Sequence, residues 1–434
     1  MATTTFRSLR VRNFRLFWFG QMVSISGTWM QQVAQNWLVL SLTGSGVALG
    51  VTVALQFLPM LLFGMWGGLI ADRFDKRRIL FVTQVIPMLL ALVMFVLVAT
   101  GAVTLWMIYV LAFLLGLVFM VDMPTRQSFV VEMVGPDEMP NAVGLNSAMF
   151  NTGRVVGPAI AGVLIATVGI ASTFLLNAVS YAAVMVALGA MRPAELFSQA
   201  RADRAPGAIR AGLRYVWTTP VLRSTLLLVA VVGTFGMNFT VVLPLLARYT
   251  FDAGAPLYGW LTSLMSLGSL AGALTAAGRV GPTRRMLIGS GAAFGALTLV
   301  AAVAPTPLLT GAALITVGVA IMLFLATANT TLQLACDPAM RGRVMALYGL
   351  VFLGSTPLGG PFLGWLSGRW GGRWGLAFSG AVSLAAATVA GLSVVVRRRR
   401  AARTESAPDH QGPDGEGEDR RRRAEQAALE AAAC

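Results

Sequence analysis

The sequence predicts an all-α polytopic membrane protein with twelve transmembrane helices in two pseudo-symmetric six-helix bundles. Three observations predict it. Only 12% of the 434 residues are charged and 56% are hydrophobic, whereas a soluble domain carries about 25% charged residues. Apolar runs recur from Phe14 to Val396, each of about 20 residues and so able to cross a hydrocarbon core about 30 Å thick. The two halves of the chain also read as diverged copies of one another.

Breaks at Gly, Pro and charge place the spans in order. The first, 14–41, is too long for a signal-peptide core and lacks a convincing cleavage site, so it reads as a permanent span. The second, 47–70, runs into the charged loop Asp72–Arg78. Spans 79–99, 105–123, 142–168 and 172–190 follow and complete an N-terminal bundle over residues 1–190. A polar stretch, 191–221, holding RPAELFSQARADRAPGAIR, is a cytoplasmic linker long enough to join two bundles on one side of the membrane. Spans 222–247, 257–278, 286–304, 308–334, 344–366 and 375–396 make the C-terminal bundle, 222–396. Residues 397–434 carry charge blocks and few apolar residues, and read as a disordered cytoplasmic tail.

Charge sets the orientation. With twelve spans, 29 Lys and Arg fall on the side of the termini and 3 on the other, leaving Arg154 within a span. Positive charge marks the cytoplasmic side, so both termini are expected in the cytoplasm and the protein in the inner (plasma) membrane. The net charge of +15 then reflects topology, and no nucleic-acid partner is expected, since no base-reading pattern surrounds the arginines. Cys336 and Cys434 cannot make a disulfide framework or a zinc site. The single histidine, His410, lies in the tail. The chain is therefore read as no enzyme, with no metal and no cofactor.

The internal repeat is visible in short stretches. GVALG at Gly46–Gly50 leads to DKRRIL at Asp75–Leu80, and LYGW at Leu257–Trp260 leads to TRRML at Thr283–Leu287. VVGPAIAG at Val155–Gly162 likewise matches LGGPFLG at Leu358–Gly364. Two such halves related by an axis along the membrane normal are a recurrent plan of secondary transporters.

At these residues the chain resembles the major facilitator superfamily. In GGLIADRFDKRR, residues Gly68, Asp72, Arg73, Lys76 and Arg77 match its signature between the second and third spans, with Asp75 where Gly is usual. Gly144, Gly153, Gly157, Pro158 and Gly162 match the superfamily's antiporter signature, with Ala161 in place of one Gly. The stretch from Asp122 is similar to the branch of enterobactin exporters and actinobacterial efflux proteins. The resemblance implies the two-bundle fold, alternating access and a bent fifth span. It implies that Gly68, Asp72, Arg73, Lys76, Arg77 and Asp122 form a cytoplasmic gate, although a basic topogenic loop would look the same. It also implies that the glycine pairs Gly64/Gly68, Gly153/Gly157, Gly268/Gly272 and Gly360/Gly364 lie at the seam between halves, against the alternative of ordinary tight packing.

Polar residues deep in spans face protein or water because lipid penalises them. Thr28, Gln31, Gln32 and Gln35 form one stripe on the first span, and Ser147, Asn151 and Arg154 one on the fifth. With Asn238, Asn329 and Gln333 they are expected to line a substrate cavity, or else to act as hydrogen-bonding glue between helices. The remaining lining of Phe, Met, Trp and Leu suits a bulky amphipathic solute. No carboxylate is placed near mid-membrane, so proton antiport and uniport both stay open, with Asp122, Asp72 or Glu132 as proton carriers. The expected function is export of a drug, siderophore or other metabolite by a monomer in the lipid bilayer. Uptake by symport and a non-transporting sensor or scaffold are the alternatives.

Overall fold

A computed structural model describes residues 6–197, 208–277, 281, 283–338, 340–354 and 356–405. Among the described residues the regular structure is entirely helical. Ten helical elements are long and apolar enough to cross a membrane, and two details raise the ten to twelve crossings. The helix Leu105–Thr167 breaks at Gly135, whose φ of 75° and ψ of 175° are open essentially to glycine alone. It therefore supplies the fourth and fifth spans. The helix Arg12–Thr43, the first span, falls short on hydropathy because it carries Gln21, Gln31, Gln35 and Asn36. All four are buried.

The break at Gly135 lies between two carboxylates that hold neighbouring segments. Glu132 takes Lys76 at 2.5 Å and Glu138 takes Arg7 at 2.5 Å. Helix continues up to the break from both sides, so the fourth and fifth spans extend beyond the 105–123 and 142–168 that hydropathy marks. Apart from Gly135, the segment 124–141 between those two hydropathy spans is also helix.

Six spans make each half. In the first half, Arg12–Thr43 packs on Leu105–Thr167 and on Ala171–Gly189, and Gly46–Arg73 packs on Leu105–Thr167. Lys76–Ala99 packs on Ala171–Gly189. In the second half Ala255–Ala277 packs on Pro307–Ala335, and Arg284–Val303 on Gly372–Glu405. The seventh span is interrupted: Pro220–Val231 passes through a π turn, Val232–Gly236, before Phe239–Tyr249 resumes. The eleventh comprises Arg341–Gly354 and Thr356–Trp370. The twelfth continues as helix beyond Val396 to Glu405, and the rest of the tail lies outside the described residues.

Both ends of the linker dock on a half. Asn13 exchanges two 3.0 Å bonds with the backbone of Arg192, and Phe197 N–H donates to Glu132 O at 2.8 Å. On the far side a short helix, Ala208–Thr218, buries Val216 among Leu222, Leu226, Leu332 and Val344. Tyr215 Oη donates to Asp337 Oδ2 at 3.1 Å.

The halves meet along two helix pairs, the second with the eleventh and the fifth with the eighth. The contact is tightest at the end of the bundle that carries the turns at Gly44, Gly254 and Gly371, here termed the distal end. There a Cβ on Gly46 would overlap the carbonyl oxygen of Gly364, one on Gly50 that of Gly360, and one on Gly259 that of Pro158. Only glycine permits such backbone-to-backbone approach. Polar bonds reinforce it: Tyr249 Oη to Gly44 O at 2.6 Å, Arg248 Nη1 to Leu40 O at 3.1 Å, and Asn36 Nδ2 to Thr240 O at 3.0 Å. The other end, carrying Gly135, Asp75 and Asp337, is the proximal end.

Candidate functional site

A cavity of about 120 Å³ lies between the halves. The first half gives it Trp29 and Arg154. The seventh and eighth spans give Met237, Phe239, Thr240, Leu243, Thr262 and Met265, and the tenth and eleventh give Ile321, Met322, Leu325 and Phe352. The fifth helix brings Arg154 there because Gly153 and Gly157 let it press onto the first. A Cβ on Gly157 would stand 2.6 Å from Ser26 O and 2.7 Å from Trp29 Cβ. At that distance the guanidinium carbon sits 5.4 Å from the centroid of the Trp29 ring, a cation–π contact. Among the described residues the Arg154 guanidinium forms no hydrogen bond and no ion pair. Gln31 and Gln35 face another pocket, and Asn151 bonds its own helix.

The polar residues expected to share one cavity are divided. Thr28, Gln31, Gln32 and Gln35 line a separate pocket of about 10 Å³, comparable to one water molecule, with Gln56, Leu115, Asn177 and Tyr181. This pocket lies inside the first half. Gln31 Oε1 accepts from Asn177 Nδ2 at 2.6 Å, and Gln32 Nε2 donates to Asn36 Oδ1 at 3.1 Å. Gln35 Nε2 and Gln56 Oε1 are buried without a partner among the described residues. Ser147 and Asn151 stay on the face of Arg154, toward the proximal end, and bond carbonyls of their own helix at 2.9 and 2.8 Å. Asn238 is buried beside the π turn, donating to Thr234 O at 2.7 Å. Asn329 accepts from Gln333 at 2.5 Å.

The candidate gate residues likewise have several partners. Lys76 pairs with Glu132, and Arg77 donates to the carbonyls of Leu188 and Gly189 at 2.8 and 3.2 Å. Arg73 stacks over Phe74 at 6.0 Å. Asp72 and Gly68 are half-buried at the end of the second span. Asp75, the departure from the signature, caps the third span by accepting from Arg78 N–H at 2.8 Å, with φ −61°. That backbone conformation does not require glycine. Asp122 is the one buried carboxylate among the described residues, 3% exposed. It pairs with Arg126 and accepts from Thr83 Oγ1 at 2.7 Å and Gln84 Nε2 at 3.2 Å. Arg126 in turn donates to Gln21 Oε1 at 2.5 Å. Sequence reasoning passed over Gln21, Glu132 as the partner of Lys76, and Arg126 as the partner of Asp122. The i,i+4 spacing of Asp122 and Arg126 on one helix was the available signal for the last.

The glycine pairs also part company. Gly360 and Gly364 lie at the seam, whereas Gly268 and Gly272 would meet Ile315 and Val319 of the tenth span, within their own half. Gly153 and Gly157 face the first span. Of the antiporter-type positions, Gly162 approaches Pro256 of the eighth span (3.1 Å from an added Cβ), and Gly144 has open space around it.

Twelve spans in two halves about a central cavity have the architecture of the major facilitator transporters. Solved members of that fold superpose accordingly. A bacterial homologue of the human lysosomal transporter Spinster, inward-facing and unoccupied, gives a TM-score of 0.70 at 14% identity, covering 87% of this chain and 94% of that one. A point mutant of the peptide transporter POT in complex with sulfate gives 0.71 at 14% identity, covering 88% and 94%. Within that class the chain belongs to the family described as transmembrane secretion effector, which matches residues 3–423. Among its relatives, the multidrug efflux pump Tap of Mycolicibacterium fortuitum is 30% identical over 79% of this chain and 86% of its own length. The staphyloferrin A transporter of Staphylococcus aureus is 26% identical over 59% and 64%.

Proposed function

We propose that the protein exports small amphipathic molecules, of the drug, siderophore or secondary-metabolite kind, by alternating access and proton antiport across the plasma membrane. The observation that carries this reading is the asymmetry of the central cavity. At the distal end the halves meet backbone to backbone, at Gly46 with Gly364 and at Gly259 with Pro158. At the proximal end the face of the fifth span that continues from Arg154 through Asn151 and Ser147 to Gly144 is half-buried or exposed. With positive charge marking the cytoplasm, that is a cavity open inward, the state in which an exporter loads. The Met- and aromatic-rich wall fits amphipathic solutes, and the names of the relatives point the same way.

In this reading both termini are cytoplasmic, the monomer is the working unit, and residues 1–190 rock against 222–396. Asp72, Arg73, Lys76, Arg77 and Asp122, toward the proximal end of the first half, are in this reading the cytoplasmic gate. Asp122 is the candidate proton carrier, because protonating it would dissolve its pair with Arg126 and change the contacts of the first, third and fourth spans together. The test is accumulation of a panel of amphipathic dyes and antibiotics in an efflux-deficient bacterium, with and without an uncoupler. Lower accumulation on expression, abolished by the uncoupler, is expected. Raised accumulation would mean uptake, and no change with any panel member would remove the exporter reading.

A further inference from the structure

Among the described residues the cavity lining carries one permanent positive charge, Arg154, and no negative one. A guanidinium stays protonated in any protein setting, and Arg154 lines the cavity with Trp29 as its contact. Four carboxylates are paired elsewhere: Asp122 with Arg126, Glu132 with Lys76, Glu138 with Arg7, and Glu195 with Arg192. Among the described residues no carboxylate lines the cavity. The Trp29 ring offsets part of the charge without taking any N–H donor. The donors of Arg154 thus face a space whose other walls are Met, Phe, Leu and Ile, with Thr240 and Thr262 as its polar positions. In such a low-dielectric site an unmatched charge acts strongly on whatever enters.

We propose that the transported molecules are organic anions, bound with a carboxylate or similar oxyanion on Arg154 and an apolar body against the Met and Phe wall. The inference rests on the exporter reading and refines it. Arg presents a planar fork of donors that matches a carboxylate in bidentate fashion. The 120 Å³ available is close to the ~150 Å³ of a cavity that takes one benzene, so the anionic headpiece with about one ring fits. A longer body extends along Asn151 and Ser147 toward the open end. Cations would be repelled, and neutral molecules would leave the Arg154 donors unmatched.

The experiment uses purified full-length protein in phosphatidylcholine vesicles, which keeps anionic lipid from competing. A dansyl amino acid with a free carboxylate is compared with its methyl ester. Wild type is expected to transport the carboxylate on the order of 10- to 100-fold faster than the ester, the range of one charge-assisted hydrogen-bonded contact. Arg154→Gln should erase that preference by lowering carboxylate transport toward the rate of the ester, and Arg154→Lys should keep part of it. Thermal-shift binding of the same pair is read in parallel. No transport of either probe, with carboxylate-selective stabilisation that Arg154→Gln abolishes, would overturn the exporter reading and leave the anion site standing. Wild-type protein that handles both probes alike overturns the anion site, with no variant needed. Equal loss of both in a folded Arg154→Gln protein makes Arg154 a strut and overturns it as well.

Discussion

Replacing Gly46 by Ala should prise open the distal end. The added methyl group would overlap the Gly364 carbonyl oxygen, with that residue's carbonyl carbon 3.0 Å away and Leu245 Cδ1 also at 3.0 Å. Two of the three obstacles are backbone, so no rotamer change relieves them and the second and eleventh helices must separate. Overpacking of this kind costs about 1–3 kcal/mol. Because the clash exists only where the two helices touch, that cost falls on the distally closed state alone. It shifts the equilibrium toward the distally open state by about 5- to 150-fold. The readout is labelling of Thr240→Cys, in the cavity wall, by a membrane-impermeant maleimide from outside the cell, with Cys336 and Cys434 replaced by Ala. Gly46→Ala should raise the labelling rate by that factor, up to saturation. Gly144→Ala is the internal control, since nothing lies within 4 Å of its added methyl group. An unchanged rate in folded Gly46→Ala protein, or an equal rise with Gly144→Ala, would refute the assignment of the seam.

Two further substitutions test the proximal network. Asp122→Asn and Arg126→Gln should each destabilise the folded protein by about 3–5 kcal/mol, because each leaves a buried charge without its partner. The double variant should be milder than the two costs combined, measured as a thermal double-mutant cycle in detergent; strict additivity would show that the pair is not coupled. Asp75→Gly, which restores the residue usual in the signature, should cost only a few tenths of a kcal/mol, and Asp75→Ala about 1 kcal/mol. A large loss of stability in the Gly variant would mean that Asp75 does more than cap the third span.

Which parts of this molecule could be read from sequence follows from what a period reveals. Hydropathy places a span in the membrane, and a repeat every three to four residues places a stripe on one face of a helix. Neither says which neighbour that face meets. Thr28, Gln31, Gln32 and Gln35 do share a pocket, yet it lies inside the first half and not between halves, because Asn177 and Gln56 from neighbouring spans satisfy or face them. Gly268 and Gly272 share a face too, and it meets the tenth span. Conversely, the GVALG run at Gly46–Gly50 was legible as half of a repeat, and its two glycines turn out to lie against Gly364 and Gly360 of the other half. The break at Gly135 escaped a hydropathy reading because the segment around it is polar helix, capped on both sides by ion pairs and not by loop residues. Arg154 was the most legible residue of all. A charge at that depth demands an account, and the contact that fills part of it, the Trp29 ring, is invisible to any count of polar side chains.

The separation of Asp122 from Arg154 constrains how transport could be coupled. Among the described residues no carboxylate lines the cavity, so proton and solute do not share one group there and coupling is expected to pass through helix positions. The first span is the element that touches both sites. Gln21 accepts from Arg126, and Trp29, eight residues on and about 12 Å along the same helix, lies against Arg154. A proton on Asp122 would release Arg126 and so loosen its hold on Gln21, freeing that end of the first span to shift with Trp29. Gln21→Leu keeps the helix and removes the acceptor, so it should weaken the dependence of transport on the proton gradient. Measured as solute flux against an imposed pH step in vesicles, the slope should fall several-fold while the preference for anionic over neutral solute stays as in wild type. If the slope is unchanged, the first span does not link the two sites. If slope and charge preference fall together, Gln21 is supporting the packing of Trp29 and Arg154 and not transmitting the state of Asp122.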